Sequence, residues 1–214
     1  MKTKEKSQIK SKERVRNLAE VFTAEREVQA MIGLFGEPSR DLTQDIESTF
    51  LEPACGDGNF LEALLQRKLE TISKKYKKQE DIEFYIIKAV ASIYGVDISK
   101  DNVGDARVRL QYEVKSFYSN KYNTRKPTEG FMNSVQWILE HNIIVGDMLN
   151  GIEKIVFIEY SSPKMYHIKR KEFRLIDTLN TNKPKKGKKN QVLFETTPLE
   201  PLKTYRMQYY SNLC

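Results

Sequence analysis

Residues Phe50 to Leu61 read Phe-Leu-Glu-Pro-Ala-Cys-Gly-Asp-Gly-Asn-Phe-Leu, and no other stretch constrains the fold as strongly. Thr49 to Ala54 has the apolar run and proline stop of a short buried strand. Beyond the turn, Phe60, Leu61, Leu64, Leu65, Leu69, Ile72 and Tyr76 recur at helical spacing, and Lys74 to Lys78 put positive charge at the helix end that the macrodipole makes negative. Between strand and helix stand Gly56 and Gly58. Two glycines this close let a ligand lie against bare backbone, with the unpaired N–H groups of the helix start aimed at it.

The same alternation continues. Residues 83–92 predict a helix, Ala91 to Val96 a strand stopped at Asp97, and Asp101 to Tyr122 a long helix through Val103, Val108, Leu110, Val114 and Phe117. Asn142 to Val145 predicts a third strand, closed by Gly146-Asp147, while residues 123–141 receive no element. Strand, helix, strand, helix, strand with polar residues at each strand's C-terminal end is the pattern of a doubly wound, Rossmann-like α/β sheet. Upstream, Leu18, Val21, Phe22, Val28, Met31, Ile32 and Phe35 predict a turn and an amphipathic helix within Asn17 to Phe35. Downstream, Ile155 to Tyr160, Met165 to Ile168, Gln191 to Glu195 and Tyr205 to Tyr210 predict short strands. The expected organisation is a flexible basic arm (1–16), a sheet domain (17–160) and a β-rich extension (161–214) with a lysine-rich loop at 183–189.

Composition sets the outer limits. At 214 residues and 39% hydrophobic, the chain can build one sizeable core and not two full domains. No run of apolar residues is long enough for a membrane span and Met1 to Lys12 lacks the apolar segment of a signal peptide, so a soluble, cytoplasmic protein without membrane partners is expected. Two cysteines, Cys55 and Cys214, cannot form a disulfide framework or a four-thiolate zinc site. The net charge of +7 is unevenly spread: residues 1–16 hold +5 and Lys183, Lys185, Lys186, Lys188 and Lys189 another +5, which leaves −3 for the rest. Arm and loop suit DNA phosphates, and suit solubilising segments equally.

Chemistry concentrates at the strand tips. Tyr94-Gly95-Val96-Asp97-Ile98 puts a carboxylate where both hydroxyls of a ribose would be held. Asp147 at the third tip can accept from an adenine amino group while Met148 packs on the ring. Asp97 and Asp147 also suit helix caps or turns, and it is their company with the glycine turn that makes a nucleoside site. His141 and His167 are isolated, which gives no support to a metal site or a catalytic triad. Lys169 to Arg174, around Phe173, reads either as a phosphate-contacting stretch or as a charged strand face, and Tyr205, Tyr209 and Tyr210 either as a stacking surface or as core.

These residues resemble a known family. Leu51-Glu52-Pro53-Ala54-Cys55-Gly56-Asp57-Gly58-Asn59-Phe60-Leu61 is similar to the methionine-binding turn of class I S-adenosylmethionine-dependent methyltransferases, specifically the adenine-N6 DNA methyltransferases of restriction-modification systems. Ala19-Glu20-Val21-Phe22-Thr23-Ala24 stands where that family has Gly-Glu-Val-Phe-Thr-Pro, with departures at Ala19 and Ala24. The resemblance covers roughly residues 17 to 149. It implies a class I methyltransferase sheet, S-adenosyl-L-methionine as cofactor, Phe22 and Thr23 flanking it, Glu52, Pro53, Ala54, Gly56 and Gly58 around its methionine part, Asp97 and Ile98 at its ribose, and Asp147 and Met148 at its adenine. It also implies DNA as substrate and allows another restriction-modification subunit as partner. The family's catalytic Asn/Asp-Pro-Pro-Tyr/Phe is missing: no Pro-Pro pair occurs, and Glu159-Tyr160-Ser161-Ser162-Pro163 occupies its place. Tyr160 and Glu159 are the substitutes to consider, with the wrong order and spacing for the task. The Pro-Cys nucleophile of cytosine-C5 enzymes is absent too, and Cys55 is committed to the turn. The expectation is therefore an adenine-N6 methyltransferase-like protein with no assignable catalytic residue; the alternative is a cofactor-binding but inactive DNA-binding or accessory subunit of such a system.

Overall fold

The structure is a computed structural model and describes residues 25–37, 40–122, 126–180, 185–186, 192–193 and 199–214. It is a mixed α/β fold in which a three-stranded parallel sheet is flanked by helices. The sheet consists of β3 (Phe50–Glu52), β4 (Ile93–Asp97) and β5 (Ile143–Val145), in that spatial order, with Glu52 beside Gly95 and Asp97 beside Val145. Ahead of it come α1 (Glu25–Gly33) and a small ribbon of β1 (Gly36–Glu37) and β2 (Arg40–Asp41).

The helices form where the apolar spacing demands. In α2 (Asn59–Lys75), Leu61, Leu64, Leu65, Leu69 and Ile72 are buried, and in α3 (Gln79–Ala91) so are Ile82, Ile86, Ile87 and Val90. Ser99 caps α4 (Lys100–Lys121), its side chain accepting from the Asn102 N–H. Thr128 caps α5 (Glu129–Asn142) in the same way through the Phe131 N–H. No sequence expectation covered α5, although Phe131, Val135, Ile138, Leu139 and Asn142 are buried along one stripe. Its outer face is polar, and a glycine in the first turn weakens the propensity signal.

Chain direction changes after β5. A 3-10 turn (Ile152–Lys154) sends β6 (Val156–Lys164) back across the sheet face opposite α2, where the Tyr94 hydroxyl donates to the Ile158 carbonyl (2.6 Å). Rather than joining the parallel sheet, β6 pairs antiparallel with β7 (His167–Arg174), which also takes β10 (Lys203–Thr204) and β11 (Gln208–Tyr209). Remaining elements are α6 (Leu175–Asn180) and the β8 (Lys185–Lys186) and β9 (Val192–Leu193) pair. The expected α/β organisation is present as a parallel sheet flanked by helices; its three described strands run β3-β4-β5 without a reversal of order, and β6 covers the sheet instead of extending it. The boundary expected at 160 falls inside β6. Ile168, Tyr210 and Leu213 share one hydrophobic cluster with Leu64, Val90 and Ile138, so the extension contributes to the main core.

Two alternatives left open by the sequence are decided here. Within Lys169 to Arg174, Arg170 is 2% exposed and lies over Trp137 (4.3 Å) and Tyr205 (4.8 Å), so this basic residue is a core cation. Tyr210 is buried with its hydroxyl on Glu83 (2.9 Å), and Tyr209 donates to Glu80, which removes them from a free stacking surface. A second buried cation, Lys68, is fully enclosed: Nζ donates among the carbonyls of Asp45 (2.8 Å), Ile46 (3.2 Å) and Ser48 (2.7 Å) and the Ser92 hydroxyl (2.9 Å). Burial pulls its ammonium down to about 7. No helix among the described residues is long and apolar enough to cross a membrane.

Candidate ligand site at the strand tips

Parallel pairing brings the tips of β3, β4 and β5 to one end of the sheet, and the turn after β3 crosses over them. The Cys55 N–H donates to the Val96 carbonyl (2.9 Å) and the Gly58 N–H to the Cys55 carbonyl (2.9 Å). Gly56 (φ +53°) and Gly58 (φ +89°) both lie in the left-handed region that side chains resist. Among the described residues a side chain at Gly56 would meet nothing within 4 Å. Gly58 is itself the N-cap of α2, and among the described residues no side chain caps that helix start.

Asp97 joins the three tips. Its Oδ2 accepts from the Gly56 N–H (2.9 Å), its Oδ1 from the Ser99 N–H (2.8 Å) and the Asn102 amide (3.3 Å). Its carbonyl accepts from the Gly146 N–H (3.0 Å), which sets Asp147 beside it. Asp147 closes a turn by accepting from the Leu149 (2.8 Å) and Asn150 (2.9 Å) N–H groups and from the Asn150 amide (3.1 Å). These bonds, Asn150's first, hold its carboxyl below the usual range. Asp97 and Asp147 are thus turn residues and tip residues at once; the two readings of them do not compete.

The remaining candidates surround this centre. Burial raises the Glu52 carboxyl, against a long contact from the Ala54 N–H (3.4 Å). Pro53 and Ala54 are exposed, and so is Ile98, at 60%. Met148 packs against the cluster of Val96, Ile155 and Leu175. Burial also pushes the Cys55 thiol up to about 12, which makes it a packing residue without nucleophilic character. Phe22 and Thr23 lie outside the described residues, as do the 1–16 arm and most of the 183–189 loop.

Glu159 and Tyr160 stand elsewhere. The Tyr160 hydroxyl donates to Asn142 Oδ1 (3.0 Å), and the Asn142 amide donates to the Ala91 (3.3 Å) and Ile93 (3.1 Å) carbonyls. That is the entry end of β4, about 13 Å along the strand from Asp97 at ~3.3 Å per residue. Both residues line a cavity of about 210 Å³ there, with Glu47, Thr49, Lys88 and Tyr94. Burial keeps the Tyr160 phenol protonated. Neither side chain reaches the strand tips, and the idea that this pair substitutes for the missing tetrapeptide is withdrawn. Among the described residues no cluster of three His, Cys, Asp or Glu is placed to hold a metal.

Sequence reasoning missed what holds the turn from behind: Asn102, Ala106 and Arg109 of α4. The available signal was two polar residues, Asn102 and Arg109, within the apolar spacing of Val103, Ala106, Leu110 and Val114. Comparison of the chain with family models, curated proteins and solved structures finds no match.

Proposed function

We propose that the chain is an S-adenosylmethionine-binding domain of the Rossmann-like class I methyltransferase type, akin to the adenine-N6 DNA methyltransferases of restriction-modification or phage-defence systems. The observation that carries this reading is the convergence of the left-handed Gly56–Gly58 turn, the Asp97 carboxylate and the Asp147 turn at one end of a parallel sheet. The residues fit such a ligand. Asp97 has three protein donors on two oxygens and retains acceptor capacity for a ribose hydroxyl. The start of α2 suits a carboxylate, and Glu52, raised by burial, suits a ligand ammonium that would draw it back to the ionised form. Bound there, the cofactor would supply an electrophilic methyl group on its sulfonium.

A second reading, a cofactor-binding but catalytically inactive accessory or DNA-binding subunit, is favoured by one specific observation. Tyr160, which stands where the family's catalytic aromatic is expected, is fixed to Asn142 at the far end of the sheet and does not reach the strand tips where an extruded base would have to meet the cofactor. DNA contact through the basic arm and lysine loop, and assembly with another subunit of such a system, belong to both readings.

Isothermal titration calorimetry with S-adenosylmethionine tests the shared part. Wild type is expected to bind one-to-one and folded Asp97→Ala to lose affinity; no binding by folded wild type overturns the reading. Tritiated-methyl transfer to unmethylated DNA then separates the two: incorporation supports the enzyme, and its absence in cofactor-loaded protein supports the inactive subunit.

A further inference from the structure

Asn102, Ala106 and Arg109 stand i, i+4 and i+7 along α4 and therefore line up on one side of the helix. Each meets a different part of the strand-tip site. Asn102 donates to Asp97 Oδ1 (3.3 Å). Ala106 lies under Gly58, where an added side chain would come within 3.0 Å of its Cβ and 3.1 Å of its Cα. Arg109 spreads its planar guanidinium over three acceptors: Nε to the Asp57 carbonyl (2.9 Å), Nη2 to Asp57 Oδ2 (2.8 Å) and Nη1 to Glu62 Oε2 (2.9 Å). The backbone and side chain of a single turn residue are thus gripped by one side chain, 52 positions away in sequence.

A turn with two left-handed glycines has many conformations open to it, and ordering it on ligand binding would cost affinity. We propose that this α4 stripe is the template that pre-orders the site: Arg109 positions the Asp57–Gly58 segment and Asn102 positions the Asp97 carboxylate, neither touching the ligand. The inference rests on the strand tips being an S-adenosylmethionine site, and it divides the work. Arg109 governs the amino-acid end of the ligand, Asn102 the nucleoside end. Lysine at 109 brings a charge but not the fork, so it cannot bridge three acceptors in fixed directions.

The test titrates S-adenosylhomocysteine and adenosine into wild type, Arg109→Met, Arg109→Lys and Asn102→Ala, with hydrogen exchange followed at the amides of residues 57–59 and of β4. Both Arg109 variants are expected to weaken S-adenosylhomocysteine by about tenfold or more while adenosine changes by less than about twofold, the loss expected when charge-assisted bonds that pre-order a site are removed. Asn102→Ala is expected to weaken both ligands. Amide exchange at residues 57–59 should accelerate in Arg109→Met with β4 unchanged, whether or not ligand is present. A merely structural role would weaken both ligands equally through lost fold, and that outcome overturns the template, as does unchanged exchange at residues 57–59. Wild type that binds neither ligand removes the site reading, and the exchange comparison then decides the template alone; should Arg109→Met fail to fold, Arg109→Lys carries the same comparison.

Discussion

Lys68 shows how one residue can report on the whole fold through pH. Its ammonium is enclosed by three carbonyls and a hydroxyl, and burial sets its pKa near 7 against 10.5 for an ordinary lysine. Between those values the unfolded chain binds more protons than the folded one, so this group's contribution to stability grows as pH rises through the interval. Replacement by methionine keeps the length of the side chain and leaves the Asp45, Ile46 and Ser48 carbonyls without their donor. Urea unfolding should show Lys68→Met less stable by about 2–4 kcal/mol, the range for stranding several buried acceptors. The gap to wild type should widen between about pH 7 and pH 9; a gap that narrows contradicts the assignment. Asp97 and Gly56 were legible because tip carboxylate and turn glycine are local signals. Lys68 was not, since a lysine on an apolar stripe looks like a helix surface until its acceptors arrive from residues 45–48 and 92.

Elements were legible where their period was unbroken. The two longest helices, α2 and α4, and the three parallel strands lie close to the spans expected from apolar spacing, within a few residues at each end. The helix α5 was missed, and it carries the joint between the two sheets. Asn142, fully buried at its end, donates to the carbonyls of Ala91, the last residue of α3, and of Ile93, the first of β4, and accepts from Tyr160 of β6. An asparagine closing a helix reads from sequence as a stop signal, and here it also pins helix, strand and ribbon together. Asn142→Leu should cost about 2–4 kcal/mol, because three buried polar partners lose their bonds at once. Thermal unfolding monitored by circular dichroism checks this, and a change below about 0.5 kcal/mol, the size typical of surface substitutions, would show that the joint is unimportant.

At the scale of the whole molecule the antiparallel ribbon is no appendage. Ile168 of β7 and Tyr210 and Leu213 beyond β11 are buried in the main cluster, and Arg170 is held between Trp137 of α5 and Tyr205. Residues 1–160 expressed alone should therefore lack a cooperative unfolding transition and bind hydrophobic dyes; a sharp transition in that fragment would restore the boundary expected from sequence. The change of style after residue 150 was visible in the sequence. Where the new strands pair was not, because antiparallel partners are chosen by contacts that no local pattern records. The site sits apart from this joint, at the tips of the parallel strands, braced by Arg109 on two largely covered carboxylates, Asp57 and Glu62, whose attraction salt screens less than that of a surface pair. Lys68 behaves differently. In its ring of carbonyls it is equivalent to a monovalent metal ion that has been tethered to the chain: no chelator, dialysis or change of ionic strength can extract it, and only proton concentration can discharge it. The loop leading into β3 is thereby ordered by a donor that the chain carries in its own sequence, charged below about pH 7 and neutral above it.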